Sequence, residues 1–127
     1  MRHEVKLTEE LIMWPEVRVW DWLRGCNTNS TFRPDAEQPF VALEYDSGEE
    51  GRRQVQKQCK THRPSKKPTV WVLERDFEKR RQWIKEASNS LTYVKEAGSK
   101  HIEDMAGNSF HITDFVQATK RLAERRT

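Results

Sequence analysis

Cysteine, signature motifs and long apolar runs are scarce in this chain, and each shortage removes a class of protein. The two cysteines, Cys26 and Cys59, stand apart with no CxxC pair. Neither a zinc knuckle nor a disulfide scaffold is therefore expected, and a reducing compartment is the plain reading. No run comes near the roughly eighteen apolar residues that a membrane span needs. Residues 1–4 lead into no apolar stretch of the kind that opens a secretory signal. A cytoplasmic protein without membrane contact is expected. The histidines at 3, 62, 101 and 111 show neither HxH nor HExxH spacing, which argues against a zinc centre. P-loop, dinucleotide-binding and G-x-S-x-G fingerprints are missing too. Hydrophobic side chains make up 35% of the 127 residues and charged ones 34%, which is lean for a globular core. Bulk offsets the shortage: five Trp and five Phe are anchors that disordered chains seldom carry. The length suits a single domain over 1–127.

The net charge of +3 hides an uneven distribution. Residues 1–50 hold five basic and eleven acidic side chains, a net −6, whereas residues 51–85 hold twelve and three, a net +9. The basic block runs from Arg52 and Arg53 through Lys57, Lys60, Arg63, Lys66 and Lys67 to Lys79, Arg80, Arg81 and Lys85. Such clustering is an electrostatic footprint for a polyanion, nucleic acid first. Two solvated helix faces and a basic loop would produce the same count.

Local patterns place elements around this block. Thr8 followed by Glu9 to Trp14 reads as a short N-capped helix stopped by Pro15. Residues 16–23 fit strand or helix, and 25–30 read as a turn. Residues 31–36 and 39–46 read as the arms of a hairpin joined at Glu37-Gln38, with Val41, Leu43 and Tyr45 alternating against Ala42, Glu44 and Asp46. A helix follows from about 50 to 61, then a proline-rich loop to Pro68. Next come a buried strand at Thr69–Leu73, a helix at Phe77–Ala87 and a short strand at Leu91–Val94. Thr113 is placed to cap a last helix, about 113–126, carrying Phe115, Val116, Thr119 and Leu122. The order predicts an α/β fold with a mixed sheet flanked by helices and a core over about 8–95. Of the aromatics, Trp71 is expected in the core. Trp14, Trp20 and Trp22 could stack on bases, although so small a domain needs at least two of them inside.

Carboxylates carry the chemistry. Glu44 and Asp46 lie two apart and so share a strand face. A tight hairpin brings Asp35 within reach of both. Three carboxylates on one face repel one another unless a cation or basic groups neutralise them. Hard oxygen ligands suit Mg²⁺ or Mn²⁺, which can activate water against a phosphodiester. The same residues would also serve as an ordinary solvated face.

Arg33-Pro34-Asp35-Ala36, followed by Phe40 to Glu50 (F-V-A-L-E-Y-D-S-G-E-E), resembles the replication-relaxation family of plasmids and mobile elements. Its members show an R-P-D-A element and then an E-hydrophobic-D-x-G-x-E element, a pattern related to the PD-(D/E)XK nuclease fold. The similarity spans about residues 1–90. It continues with Lys57 and Lys60 on a basic helix, a P-x-V-x-V-like strand at Pro68 to Leu73, and Arg80-Arg81 on the next helix. The resemblance implies a small PD-(D/E)XK-like core, with Asp35 as motif aspartate and Glu44 as motif acid. Asp46 stands where active nucleases usually have Lys, which implies reduced or lost catalysis. Lys57 or Lys60 would then reach back to stabilise the phosphorane charge. Relatives carry an N-terminal winged-helix part, so here DNA contact is expected from the basic helices.

Three functions fit these readings. The first is a metal-dependent DNA phosphodiesterase acting in replication or mobilisation of a plasmid, phage or transposon. Asp35, Glu44 and Asp46 would hold the metal, Lys57 and Lys60 would assist, and Arg52, Arg53, Arg63, Lys66, Lys67, Arg80 and Arg81 would bind the nucleic acid. The second is a degenerate DNA-binding factor, whose binding weakens linearly with log salt. The third is a phage or plasmid accessory protein that docks on a host protein, steered by its −6 and +9 segments. A homodimer is compatible with all three.

Overall fold

The alternating segment at 41–46 and the β-branched run at 69–73 build the middle of a sheet. The computed structural model describes residues 2–24, 34–62, 67–88 and 91–125. In chain order they form α1 (Arg2–Ile12), a 3₁₀ turn (Val19–Asp21), β1 (Leu23–Arg24), β2 (Ala36–Gln38), β3 (Val41–Asp46) and α2 (Arg52–His62). Then come β4 (Thr69–Leu73), α3 (Phe77–Ala87), β5 (Thr92–Glu96), β6 (His101–Asp104), β7 (Ser109–His111) and α4 (Ile112–Arg125).

One seven-stranded sheet runs in simple sequence order from β1 to β7. The first three strands are an antiparallel meander, β3, β4 and β5 are parallel, and β6 and β7 return antiparallel. A parallel join needs a crossover, and α2 and α3 supply the two required here. Both lie on one face, where Val55 and Cys59 of α2 and Ile84 and Ala87 of α3 pack on Trp71, Leu73 and Val94. On the other face Leu7 and Leu11 of α1 and Ile112, Phe115 and Val116 of α4 cover Val41, Leu43, Tyr45, Val70, Val72 and Ile102. Every residue of β3 and β4 is buried, as a strand covered on both sides must be. The arrangement is the mixed sheet flanked by helices that the sequence predicts.

The helices follow from spacing. Ile112, Phe115, Val116 and Thr119 are the buried stripe of α4, at the intervals that put side chains on one face. Phe115 meets Trp14 and Tyr93 edge-on, with centroids 6.3 and 5.0 Å away, so truncating it to Ala removes a contact set worth about 3–5 kcal/mol. Among the described residues no helix is long and apolar enough to cross a membrane.

Four boundaries differ from the sequence reading. Helix α1 begins at Arg2 rather than after Thr8, because Leu7, Leu11 and Trp14 form one buried stripe that starts upstream of the expected cap. Glu37 and Gln38 belong to β2, and the turn falls at Pro39-Phe40, where proline's fixed φ favours the second turn position. His111 instead of Thr113 caps α4: its Nδ1 accepts the Thr113 N–H at 3.2 Å. The sheet also extends past the expected core limit at 95 into β6 and β7, joined by a turn in which Asp104 Oδ1 accepts the N–H groups of Ala106 and Asn108, both at 2.9 Å. The turn expected at 25–30 lies outside the described residues, as do Cys26, Arg33, Arg63 and Lys66.

Candidate functional site

The β2–β3 hairpin does the positioning. Its register pairs Ala36 with Leu43, and one further step sets Asp35 opposite Glu44. Asp35 bends off the strand there. Its Oδ2 accepts the Tyr45 N–H at 2.7 Å, and its own backbone N–H donates to the Glu44 carboxylate. Asp35 and Glu44 thus line one cleft of about 400 Å³ at the carboxyl ends of β3 and β4, together with Asp46, Glu50, Gln58 and Trp71. Crevices outside the carboxyl ends of strands are where α/β sheets bind ligands.

Electrostatics separate the carboxylates. Glu44 is buried, and its pKa stands well above the usual carboxylate range. Burial is the main cause, followed by Asp35 and then Glu50 and Asp46, with the Asp35 N–H opposing them. Glu50 at the rim is also raised, by partial burial and by Asp46, against a hydrogen bond of 3.2 Å from Gln58. Asp46 is engaged differently. Arg80 reaches from α3 and grips it with two bonds, Nε to Oδ2 at 2.7 Å and Nη2 to Oδ1 at 3.1 Å. The Gly48 N–H adds a third at 2.8 Å, and Arg80 also donates to the Glu50 carbonyl. Both partners of the pair are buried. Gly48 has φ +90° and sits so close to the Arg75 side chain that a Cβ would collide with it, which is why glycine stands at this turn.

The predicted cations are distributed otherwise than the sequence suggests. Lys57 and Lys60 lie on the outer face of α2, exposed, lining a shallow groove with Arg53, Gln56 and Thr61. From α2 it is Val55 and Gln58 that face the carboxylates, so neither lysine reaches back into the cleft. Arg80 is buried, which corrects its assignment to a nucleic-acid surface: its guanidinium is committed to Asp46. Arg52 pairs with Glu86 at 2.6 Å, Arg81 with Glu103 at 3.4 Å and Lys67 with Glu37 at 2.6 Å. Arg53 remains on the exposed stripe. Cys59 is a core residue. Trp14, Trp22 and Trp71 are buried, whereas Trp20 is 73% exposed.

Two features escaped the sequence reading. Lys6 of α1 lines the cleft, and Arg80 closes off Asp46. The first would require knowing how α1 packs. The second had a signal, since Arg80, Ile84 and Ala87 share the buried face of α3.

Asp35 and Glu44 supply hard oxygen donors, and Mg²⁺ commonly keeps several waters and takes one or two carboxylates from the protein. Asp35 and Glu44 both line the cleft and carry that donor type, although among the described residues no group of three or more His, Cys, Asp or Glu is arranged to hold a metal ion. The sequence matches no protein-family model, and no curated protein or solved structure matches the chain.

Proposed function

We propose that the chain is a nucleic-acid-binding protein with a PD-(D/E)XK-like core, whose cleft at Asp35 and Glu44 takes Mg²⁺ or Mn²⁺ and hydrolyses phosphodiesters of DNA. The setting is the replication or mobilisation of a plasmid, phage or transposon, as the family resemblance implies. The observation that carries the reading is the convergence of Asp35 and Glu44 on one cleft walled by α2, whose outer side carries an exposed basic stripe, Arg53, Lys57 and Lys60. A bound divalent ion would acidify a water and polarise a phosphoryl oxygen. The stripe runs at i, i+4 and i+7 along α2 and offers three cations to a phosphate backbone.

A second reading, a DNA-binding factor without cleavage, is favoured by one observation: Asp46 is saturated by Arg80 and Gly48. One experiment separates the two. Purified protein is incubated with supercoiled plasmid and Mg²⁺ or Mn²⁺, beside Asp35→Ala. Nicking that disappears in the variant supports hydrolysis, and equal nicking by both removes it. Retardation of DNA without nicking leaves the binding factor. Failure to retard DNA as well turns attention to a protein partner.

A further inference from the structure

We propose that Lys6 is the cation of the carboxylate cleft, its ammonium contacting a non-bridging oxygen of the phosphodiester bound there. The proposal rests on the phosphodiester reading of the same cleft. Among the described residues that line it, Lys6 is the one Lys or Arg, set among Asp35, Glu44, Asp46, Glu49, Glu50 and Glu74. An anionic phosphodiester entering so acidic a space needs a positive partner besides any metal ion. Lys6 has its charge to offer, because its own ion pair with Glu9 is long, 3.9 Å, and solvent-exposed on both sides, a contact of little worth.

The reach of Lys6 is fixed from behind. Lys6 and Glu10 are four residues apart, so they share one stripe of α1 about 6 Å apart along the axis. Glu10 is clamped by three groups from three places. Lys95 Nζ on β5 pairs with its Oε2 at 2.7 Å, Trp14 Nε1 donates to the same oxygen at 3.0 Å, and the Gly98 N–H donates to Oε1 at 3.2 Å. Lys95 also donates to the Glu96 carbonyl at 3.1 Å. With Leu7 and Leu11 buried in the same helix, these contacts set which face of α1 meets the sheet, and Lys6 on that helix lines the cleft. Glu10 and Lys95 are positioning residues in this scheme.

In the hydrolysis a water oxygen bonds to phosphorus and the bond from phosphorus to the leaving oxygen breaks. One water proton passes to solvent, and the leaving oxygen takes a proton from solvent. Lys6 takes no part in the proton transfers and neutralises the phosphoryl oxygen as charge builds on it, the task of a compact point charge.

The test reads lysine reactivity and cleavage side by side. Full-length protein is acetylated with an N-hydroxysuccinimide ester, with and without a short oligothymidylate, and modification is followed peptide by peptide by mass spectrometry. Plasmid cleavage is measured for the parent, Lys6→Gln and Lys6→Arg. Expected are slowed acetylation of Lys6 in the presence of the oligonucleotide, a roughly hundredfold loss of kcat in Lys6→Gln, and partial rescue in Lys6→Arg. Glu10→Gln, checked for native circular dichroism, is expected to weaken the protection of Lys6 but not that of Lys57. Unchanged cleavage by Lys6→Gln with no protection of Lys6 overturns the proposal and leaves the phosphodiester reading standing. Protection of Lys6 without cleavage by the parent keeps Lys6 as the phosphodiester contact and removes the hydrolysis. Neither protection nor cleavage removes both.

Discussion

Two carboxylates with the same sequence credentials, Glu44 and Asp46, have separate fates. Both lie on the inner face of β3, yet Arg80 and Gly48 take the whole of Asp46, whereas Glu44 is left in an environment that resists ionisation. Arg80→Leu would strand a buried carboxylate and should cost about 3–5 kcal/mol. The double variant Asp46→Leu/Arg80→Leu should cost clearly less, a difference that urea unfolding of the three proteins measures. Glu44 makes a prediction in pH. In the unfolded chain it titrates near 4.3, and in the folded protein its pKa is raised. The native state therefore holds a proton that the unfolded state has lost across that window. Stability is fully present below the unfolded pKa and declines as pH rises through the folded one. Glu44→Gln cannot ionise, so its urea midpoint should exceed the parent's by a margin that widens from pH 4 towards neutrality.

Elements whose pattern and packing agree could be read from the chain. The strand at 69–73 and the helix at 77–87 appear as expected because an unbroken β-branched run and a 3.6-residue stripe each have one good solution. Strands β6 and β7 were not legible. They are three or four residues long, β7 is exposed along its length, and Ile102 is the one buried side chain among the four residues of β6; the Asp104 turn supplies much of their order. The start of α1 was hidden for another reason. Thr8 has the chemistry of a cap, but the buried stripe of Leu7, Leu11 and Trp14 determines where the helix runs. A hairpin carrying Asp35 and Glu44 on neighbouring strands was readable, but a connection at Glu37-Gln38 would set Asp35 opposite Phe40, and it is the turn at Pro39-Phe40 that sets it opposite Glu44. The closure of Asp46 had half a signal: helical spacing puts Arg80 on the buried face of α3 with Ile84 and Ala87, but its partner depends on how α3 crosses the sheet. The clamp on α1 gives this scale its own test. Lys95 and Glu10 are both buried, so Lys95→Met should destabilise by about 3–5 kcal/mol. Glu10→Leu/Lys95→Met should fall near the parent or above it. A double-mutant cycle by chemical denaturation reads the coupling, and strict additivity of the two single changes would count against a direct pair.

Across the whole molecule the charge count of the basic block overstates what a polyanion would meet. Of its cations, Arg80 is buried, and Arg52, Lys67 and Arg81 sit in ion pairs. Arg53, Lys57 and Lys60 stand out on one helix, on the flank of α2 turned away from the carboxylates. The helix thereby keeps two fields apart, an acidic cleft on its inner side and a cationic stripe on its outer side. A backbone lying along the stripe would be attracted by it without meeting the cleft acids on the other side of the helix. Each phosphate neutralised contributes about 0.9 to the slope of log affinity against log salt for duplex DNA. Replacing Arg53, Lys57 and Lys60 with Ala should therefore flatten that slope by about 2.7 and weaken binding alike on unrelated sequences. Fluorescence anisotropy of a labelled duplex over a salt series provides the measurement, with Arg52→Ala, which removes an already paired cation, as the comparison. A slope that Arg52→Ala lowers as much as the triple variant would mean that exposed charge alone, and not the geometry of the α2 stripe, holds the nucleic acid.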